Sequence, residues 1–434
     1  MTFRERLTGP KILYPLRNRD FALLTGGSTI SLLGDGFFFI ALAWQVYEIS
    51  NIPTALSIVW VAWTLPSVIF LLIGGAFSDR YDRRLLMIGA DIIRALAIGA
   101  IGFLSIAGVL EIWHIAVLIA FVGLGDAFFN PASTAIVPDL LPDKDLPQAN
   151  ALLGTMRPLM VRLIGPALAG FVVAAVGSGT AFVIDGASFL VSAVAVAAIR
   201  PRPMHVKEGG HGVRKTISQV REGLGFVRRT PWLWATLLSA MLSLLAFFGP
   251  VETLVPFLVK NRLNLGPESL GLLFAVGGVG AILTGVAIGQ FGLPRKRVTI
   301  MYASWSFGVA LMAIYGLMTE LWHALIASFI THALFQLGQV IWTTMLQTLV
   351  PRKLLGRVTS VDWLVSTGLV PVSFALTGPA AETFGAAETM VGASLIGAVL
   401  MGALLFVPGV RDPERTEADE RGPKTDRAAA AAPD

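Results

Sequence analysis

The segment "GGAFSDRYDRR", residues 74–84, carries five charged side chains in the six positions from Asp79 to Arg84. Only 14% of the whole chain is charged. The preceding residues 54–77 contain no ionisable side chain, and the following residues 85–112 contain three. Charge concentrated between two long apolar stretches is typical of a short loop that joins two membrane-spanning helices.

The composition also indicates a membrane protein. Hydrophobic residues make up 55% of the 434, and the mean hydropathy of +0.72 is well above that of a soluble domain. A bilayer core about 30 Å thick requires roughly 20 apolar residues for each helical crossing. We therefore predict twelve membrane-spanning helices, near 21–43, 54–77, 85–108, 114–137, 147–174, 180–199, 232–258, 269–291, 298–319, 322–349, 358–381 and 387–408. The chain has no cysteine, which excludes disulfides and thiolate metal ligands.

Basic residues fall on one side of this predicted membrane. The loops on the other side hold only Lys260 and Arg262. Because Lys and Arg in short loops stay cytoplasmic, we predict that both termini are cytoplasmic. The net charge of +5 follows from this topology and requires no nucleic-acid partner. The basic segment 201–230 is expected to be a cytoplasmic connector that contacts anionic membrane lipid.

The chain contains a weak internal repeat. The segment "IVPDLLP" at 136–142 resembles "LVPRKLL" at 349–355, and "GPALAG" at 165–170 resembles "GPAAET" at 378–383. The members of both pairs are separated by the same number of residues. Parallel repeats of this kind place a substrate site between two halves, near the bilayer midplane. The predicted organisation is a retained cytoplasmic lead at 1–20, a six-helix half at 21–200, a linker at 201–230, a second six-helix half at 231–410 and a disordered tail at 411–434.

The charged cluster follows the pattern G-x-x-x-D-R-x-x-R-R, read as Gly75, Asp79, Arg80, Arg83 and Arg84. This pattern between the second and third helices resembles the loop signature of the major facilitator superfamily. Twelve spans, two halves and a degraded second copy at "GLPRKR", residues 292–297, extend the resemblance over the whole chain. Phe77 and Asp82 depart from it, since the superfamily prefers Leu and Gly there. The resemblance implies an all-α membrane fold of twelve helices in two pseudo-symmetric halves.

The resemblance also implies a cytoplasmic gate. In the superfamily, the Asp of the loop lies near a helix N-terminus and the Arg residues pair with an acid at the start of the eleventh helix. Asp362 occupies that place here, and the helix dipole favours a carboxylate there. The expected latch comprises Gly75, Asp79, Arg80, Arg83, Arg84 and Asp362. The alternative is a charge cluster that only sets the topology.

Ionisable side chains inside the spans are costly unless they are paired or face water. Asp91 and Arg94 are one helical turn apart and are predicted to pair as structure. Asp185 lies near the outer end of its helix and is expected to be solvated. If the fourth and fifth helices form an antiparallel hairpin, Asp126 lies level with Arg157, and Arg162 can reach toward them. Such an ion pair belongs to the substrate path or simply locks the hairpin.

Asp35 is the leading candidate for proton coupling. It lies about 14 residues, roughly 21 Å, into the first helix from the cytoplasmic end, between Gly34 and Gly36 and with no basic residue in the predicted span. A carboxyl group there can take a proton from outside and release it inside, while substrate competes for its ionised form. Glu252, in the matching helix of the second half, is the reserve candidate. The alternatives for Asp35 are capping of a helix break and pairing with the fifth helix.

The segments "GDGFFF" at 34–39 and "GDAFFN" at 125–130 share a small–acid–small–aromatic pattern. A carboxylate beside stacked rings suits lipophilic cations and large amphiphiles. Plain packing of the rings and helix–helix hydrogen bonding of the amides are the alternatives. The predicted cavity residues are Phe38, Phe129, Asn130, Gln336 and Gln339.

Three segments resemble the bacterial exporter branch of the superfamily that contains macrolide and multidrug antiporters and siderophore exporters: "LLGDGFFFIALAW", "GDAFFNPASTAIVP" and "MLQTLVPRKLLGRVTS". "GPALAG" resembles the antiporter motif, with Ala169 where a second Gly is usual. The resemblance implies a proton-coupled exporter of drugs or other amphiphiles in the bacterial inner membrane, acting as a monomer without a cofactor. The alternatives are an exporter of a siderophore or another specific metabolite, and a proton-coupled importer of a small nutrient.

Other functional classes lack their sequence motifs. The chain contains no Gly-Lys-Ser/Thr, which an ATP-driven pump requires. It contains neither a nucleophile elbow nor H-E-x-x-H, so we expect no hydrolase and no enzyme. A transport-dead sensor is a further alternative, and would be expected to carry a cytoplasmic domain.

Overall fold

The computed structural model describes residues 11–78, 80–200 and 222–414. Within these residues all regular structure is helical, and twelve helices are long and apolar enough to cross a membrane. Each overlaps one of the twelve predicted spans, which confirms that prediction. They are α1 Arg19–Ile49, α2 Pro53–Ser78, α3 Arg83–Ile106, α4 Ile112–Leu140, α5 Asp143–Val176, α6 Ser178–Ala197, α7 Pro231–Asn261, α8 Pro267–Phe291, α9 Arg297–Leu317, α10 Leu321–Leu349, α11 Leu354–Phe384 and α12 Ala386–Phe406.

The predicted lead, linker and tail lie partly outside the described residues, which exclude 1–10, 201–221 and 415–434. Of the remainder, Lys11–Arg17 forms a short 3-10 helix before α1, and residues 222–229 are helical before α7.

Local signals explain where several helices begin and end. The Asn18 side chain accepts from the backbone N–H groups of Asp20 and Phe21 and so caps α1. Asp82, which stands where the superfamily prefers Gly, accepts from the Arg84 N–H and caps α3. Gly177 between α5 and α6 has φ 85°, and Gly385 between α11 and α12 has φ 95°. Both turns need a left-handed backbone, which glycine adopts without strain.

The first six helices and the last six pack in the same pairs. In the first set, α2 packs on α4, α3 packs on α4 and α6, and α1 packs on α5 and α6. In the second set, α8 packs on α10, α9 packs on α10 and α12, and α7 packs on α11 and α12. The two sets meet where α2 packs on α11 and where α5 packs on α8. These two junctions are themselves equivalent, so the bundle has approximate two-fold symmetry.

We call the side of the bundle where α1 begins the basic side, and the opposite side the outer side. On the outer side the two sets of helices are joined by hydrogen bonds. The Tyr47 hydroxyl donates to the carbonyl of Thr253 at 2.6 Å, and Lys260 donates to the Tyr47 carbonyl. Asn51 and Asn261 exchange amide hydrogen bonds of 2.6 and 3.1 Å. The outer side is therefore closed.

Small residues bring the two sets into close contact at both junctions. A Cβ atom on Gly378 of α11 would lie 2.5 Å from the Cα of Thr54 in α2. A Cβ atom on Gly170 of α5 would lie 2.8 Å from the carbonyl oxygen of Pro267 in α8. Gly170 ends the "GPALAG" motif and Gly378 begins the matching "GPAAET". The repeated motif thus supplies glycines where helices of the two sets touch.

Candidate functional site

A cavity of about 570 Å³ lies among the first six helices. It extends from Phe38 and Trp63 in the middle of the bundle to Leu24, Val137 and Asn150 near the basic ends of their helices. Because the outer side is closed, the cavity faces the side predicted to be cytoplasmic. Among the predicted site residues, its wall includes Asp35, Phe38, Asp126, Phe129, Asn130, Arg157 and Arg162.

Arg94 binds two acids in this wall. Its guanidinium forms an ion pair with Asp91 one turn away in α3, which confirms the predicted pair. The other Nη atom lies 3.0 Å from Asp126 Oδ1 of α4. Trp63 Nε1 of α2 donates to Asp126 Oδ2 at 2.9 Å. A charge-assisted network joins three helices here, with Arg94 only 4% exposed.

Two aromatic rings cover the same guanidinium. The Arg94 Cζ atom lies 4.2 Å from the ring centre of Phe129 and 4.3 Å from that of Phe189. Each ring face attracts the cation, and this attraction is stronger away from water. Phe129 therefore makes a cation–π contact with Arg94 in the cavity wall. Phe38 packs edge-on against Trp63, with ring centres 5.8 Å apart.

The predicted pairing of Asp126 with Arg157 is wrong. That prediction assumed that α4 and α5 lie side by side because they follow one another in the chain. Instead, α4 packs on α2 and α3, whereas α5 packs on α1 and α8. Asp126 is thus bonded to Arg94, and Arg157 faces the cavity from a different wall.

The expectation that Asp185 is solvated is also wrong, because its side chain is completely buried in α6. The helix packs against both α1 and α3, so a position near its outer end is still covered. Ser188 Oγ donates to Asp185 Oδ1 at 3.3 Å. A Cβ atom on Gly34 would lie 2.4 Å from the same oxygen. The sequence signal was the Asp-Gly pair at 185–186, which repeats the pair at 35–36.

Asp35 lines the cavity, half-buried, and makes no hydrogen bond or ion pair with any described residue. Its neighbouring glycines explain its position. Gly34 lies against Asp185 of α6, and a Cβ atom on Gly36 would lie 2.7 Å from the Cα of Gly165 in α5. The two glycines therefore let α1 pack tightly on both sides, and Asp35 points between these contacts into the open space.

Arg157 and Arg162 line the same cavity although they are five residues apart in α5. In an α-helix, residues five apart point about 140° away from each other. Here Leu159–Ile164 forms a π-helical turn, whose i→i+5 bonding brings such residues to one face. The N–H of Gly165 donates to the Met160 carbonyl, five residues back.

The two arginines differ in their partners. Arg162 Nη1 lies 3.9 Å from Glu252 Oε1 of α7, a long ion pair across the junction of the two sets. The Glu252 side chain is 14% exposed and that of Arg162 is 47% exposed. Arg157 has no hydrogen-bond or ion-pair partner among the described residues, and its side chain is exposed to the cavity.

The described residues of the predicted latch, Arg83 and Asp362 among them, are not joined to one another in this structure. Arg83 donates to the Ala135 carbonyl at 2.8 Å and pairs with Asp139, both in α4 of its own set. Asp362 accepts from Trp342 Nε1 at 3.3 Å, also within its own set. The basic side is where the cavity opens, so a latch across it stays a prediction for the opposite conformation.

The other latch residues are spread around the loop. Arg84 Nη2 donates to the Ala197 carbonyl at 2.8 Å and so binds the end of α6. Arg80 is exposed in the turn, and a Cβ atom on Gly75 would meet only open space. Asp79 lies outside the described residues.

The predicted glutamines do not line the cavity that the described residues form. Both are on α10 in the second set, which contributes nothing to this wall. Gln339 Nε2 lies 3.4 Å from Thr343 Oγ1. Gln336 Nε2 lies 3.8 Å from the place of a Cβ atom on Gly285 in α8.

Comparison with known proteins identifies relatives over most of the length of the chain. Residues 11–427 match the family described as "Transmembrane secretion effector". The chain is 28% identical to the multidrug efflux pump Tap of Mycolicibacterium fortuitum, over 90% of this chain and 95% of Tap. It is 23% identical to macrolide efflux protein A of Streptococcus pyogenes, over 84% of this chain and 90% of that protein.

Solved structures share the fold. The crystal structure of the nucleoside transporter NupG superposes with a TM-score of 0.66 and 11% identity, covering 89% of this chain and 98% of NupG. At this identity the similarity concerns the twelve-helix architecture alone.

Proposed function

The chain belongs to the transmembrane secretion effector family of the major facilitator superfamily, and from this premise we propose that it exports amphiphilic small molecules in exchange for protons. It is a multi-pass protein of a bacterial membrane that acts on small-molecule substrates, and it is not an enzyme. Relatives named for multidrug and macrolide efflux support export of drugs or similar compounds.

The observation that carries the proposal is the unpaired carboxyl group of Asp35 in an aromatic cavity. Apolar rings such as Phe38 and Trp63 supply area for large, poorly soluble compounds. The carboxyl group supplies one charge that forms no ion pair with any described side chain, although Arg94 and Arg157 act on it electrostatically across the cavity. A proton or a cationic group of the substrate can neutralise it, but not both at once. This competition at one site couples the two movements.

Alternating access completes the mechanism. In the conformation described here the cavity is turned to the basic side, where Asp35 releases its proton and substrate enters. Reorientation then separates the outer contacts, including Tyr47 with Thr253 and Asn51 with Asn261. Substrate leaves to the outside when Asp35 is protonated again. The predicted latch of Arg83 and Asp362 would close the basic side during this step.

Proteoliposomes test the proposal directly. Purified protein is reconstituted, an acidic lumen is imposed, and uptake of a panel of amphiphilic amines that includes a macrolide is followed. If substrate is exchanged for protons, the amines should be taken up into the acidic lumen, and a protonophore should abolish this uptake. Protein-free liposomes measure the passive trapping of amines by the gradient, which is subtracted.

Two outcomes would contradict the proposal. Uptake driven only by acid outside the liposomes would indicate symport, as in an importer of a small nutrient. Uptake that does not respond to the proton gradient would remove proton coupling.

A further inference from the structure

The cavity contains a second charge without an ion-pair partner among the described residues, opposite in sign to Asp35. Arg94 is held by Asp91 and Asp126, but Arg157 has no partner among the described residues. An ionised side chain within a membrane-spanning segment is costly unless it faces water or a counter-ion. Arg157 faces the cavity, where it interacts with Asp35 only electrostatically and forms no ion pair, so its N–H groups are open to water or to an acidic ligand.

Arg162 adds further N–H donors to the same cavity wall. A guanidinium has five N–H groups, and the contact of Arg162 with Glu252 is a single N–O distance of 3.9 Å. Its side chain is 47% exposed, which leaves the rest of the fork available to a ligand. Two guanidinium groups that line one cavity can each donate parallel N–H groups to the oxygens of a carboxylate, sulfonate or phosphate.

The backbone of α5 departs from α-helical geometry in the segment that contains these two arginines. This departure turns both side chains toward the cavity. A regular helix would turn Arg157 and Arg162 to different faces, whereas the π turn at Leu159–Ile164 turns both into the cavity. Pro166 has no N–H to donate to the carbonyl of Arg162, four residues before it, so the wider turn sacrifices no α-helical bond there. π turns within helices are frequent at functional sites.

We propose that Arg157 and Arg162 form a binding site for an acidic group of the substrate. With Asp35 in the same cavity, the site would favour zwitterionic amphiphiles, whose cationic group can still compete with the proton at Asp35. The aromatic side chains Phe38 and Trp63 would hold the apolar part. This inference rests on the proposed function, because it names the class of compound that the exporter's cavity binds.

A matched pair of fluorescent probes tests the site without transport. Anilinonaphthalene sulfonate carries an anionic group that phenylnaphthylamine lacks on the same ring system. Binding to the full-length protein in neutral-lipid nanodiscs is read by energy transfer from tryptophan, because Trp63 lines the cavity, and empty nanodiscs give the background. Arg157→Gln should weaken binding of the sulfonate about tenfold or more, and adding Arg162→Gln should weaken it further. Binding of phenylnaphthylamine should change less than about twofold.

Control variants separate charge from packing. Arg229→Gln removes an exposed positive charge outside the cavity and should leave sulfonate binding unchanged. Arg157→Lys keeps the charge and should lie between wild type and Arg157→Gln. Equal losses for both probes, or equal losses in Arg157→Lys and Arg157→Gln, would overturn the anion site.

The competing explanation is that Arg157 only balances the charge of Asp35. In an Asp35→Asn background, Arg157→Gln should still weaken sulfonate binding about tenfold. A loss that disappears in that background would overturn the inference. The binding assay needs neither a gradient nor turnover. If sulfonate binding did not depend on the arginines while proton-driven drug uptake was intact, only the proposal of an anion site would be contradicted. Arginine-dependent binding without proton-driven uptake would instead remove only the proposed coupling.

Discussion

In α3, within the first six helices, Asp91 and Arg94 form a buried ion pair that also binds Asp126. The internal repeat aligns α3 with α9, at the same spacing that aligns Ile136 with Leu349. In this alignment Ser304 and Phe307 of α9 correspond to Asp91 and Arg94. The two sets of helices nevertheless pack in the same pairs. The shared architecture therefore does not depend on this charged network.

Neutral hydroxyl groups hold one helix pair of the second set. Ser239 and Ser243 of α7 donate to the carbonyls of Met401 and Gly397 in α12, at 3.0 and 3.2 Å. In the first set, the matching contact of α1 with α6 places Gly34 against the buried Asp185. Neutral bonds suffice to hold such a helix pair, so we propose that the acids and arginines that line the cavity of the first set serve transport.

The largest expected effect is that of removing Arg94. Arg94→Gln leaves Asp91 and Asp126 without their cation in a buried site, which typically costs about 3–5 kcal/mol. The free energy of unfolding in mixed micelles should fall by this amount. Phe307→Ala, at the exposed corresponding position of α9, should change it by less than about 0.5 kcal/mol. Similar values for the two variants would contradict the difference between the sets.

A smaller effect is expected at the junction that joins the sets. Gly378→Ala places a methyl group 2.5 Å from the Thr54 Cα atom, and such overpacking costs about 1–3 kcal/mol. Because the contact closes the outer side, the variant should favour the outward-open conformation, as measured by the distance between spin labels on α2 and α11. Gly392→Ala, where a Cβ atom meets open space, is the control. An unchanged distance distribution in Gly378→Ala would mean that this contact does not hold the outer side closed.

The smallest expected effect lies in the neutral second set. Ser243→Ala removes one hydroxyl bond to the Gly397 carbonyl, and hydrogen bonds between helices in membranes average about 0.6 kcal/mol. The same unfolding measurement should detect a loss of that order with unchanged transport. A decrease in the free energy of unfolding as large as that of Arg94→Gln would contradict the expectation that a neutral hydrogen bond contributes less than the charged network.

The fold could be predicted from the sequence because the spans are long and uniformly apolar. Charges such as those of Asp79 to Arg84 separate the spans, and basic residues distinguish the two sides. Family resemblance in the loop then supplied the arrangement of the helices. Asp91 and Arg94 were predictable as a pair because they are neighbours on one helix.

The site could be predicted only in part, since it depends on which helices are neighbours in space. The loop between α4 and α5 suggested that Asp126 meets Arg157, but α4 packs elsewhere. The burial of Asp185 depends on α1 and α3 covering it from two sides. The π turn that aligns Arg157 with Arg162 leaves no pattern in hydropathy.

The central claim is that proton coupling resides in the first six helices, at Asp35, and not at Glu252 in the second set. The most direct measurement compares proton-driven uptake and substrate exchange in proteoliposomes of wild type, Asp35→Asn and Glu252→Gln. Asp35→Asn should exchange substrate between the two sides of the membrane, while its gradient-driven uptake falls about tenfold or more, to the protein-free background. Glu252→Gln should keep most of the gradient-driven uptake, because Glu252 pairs with Arg162 at the junction. Full gradient-driven uptake by Asp35→Asn, or its loss in Glu252→Gln alone, would contradict the account.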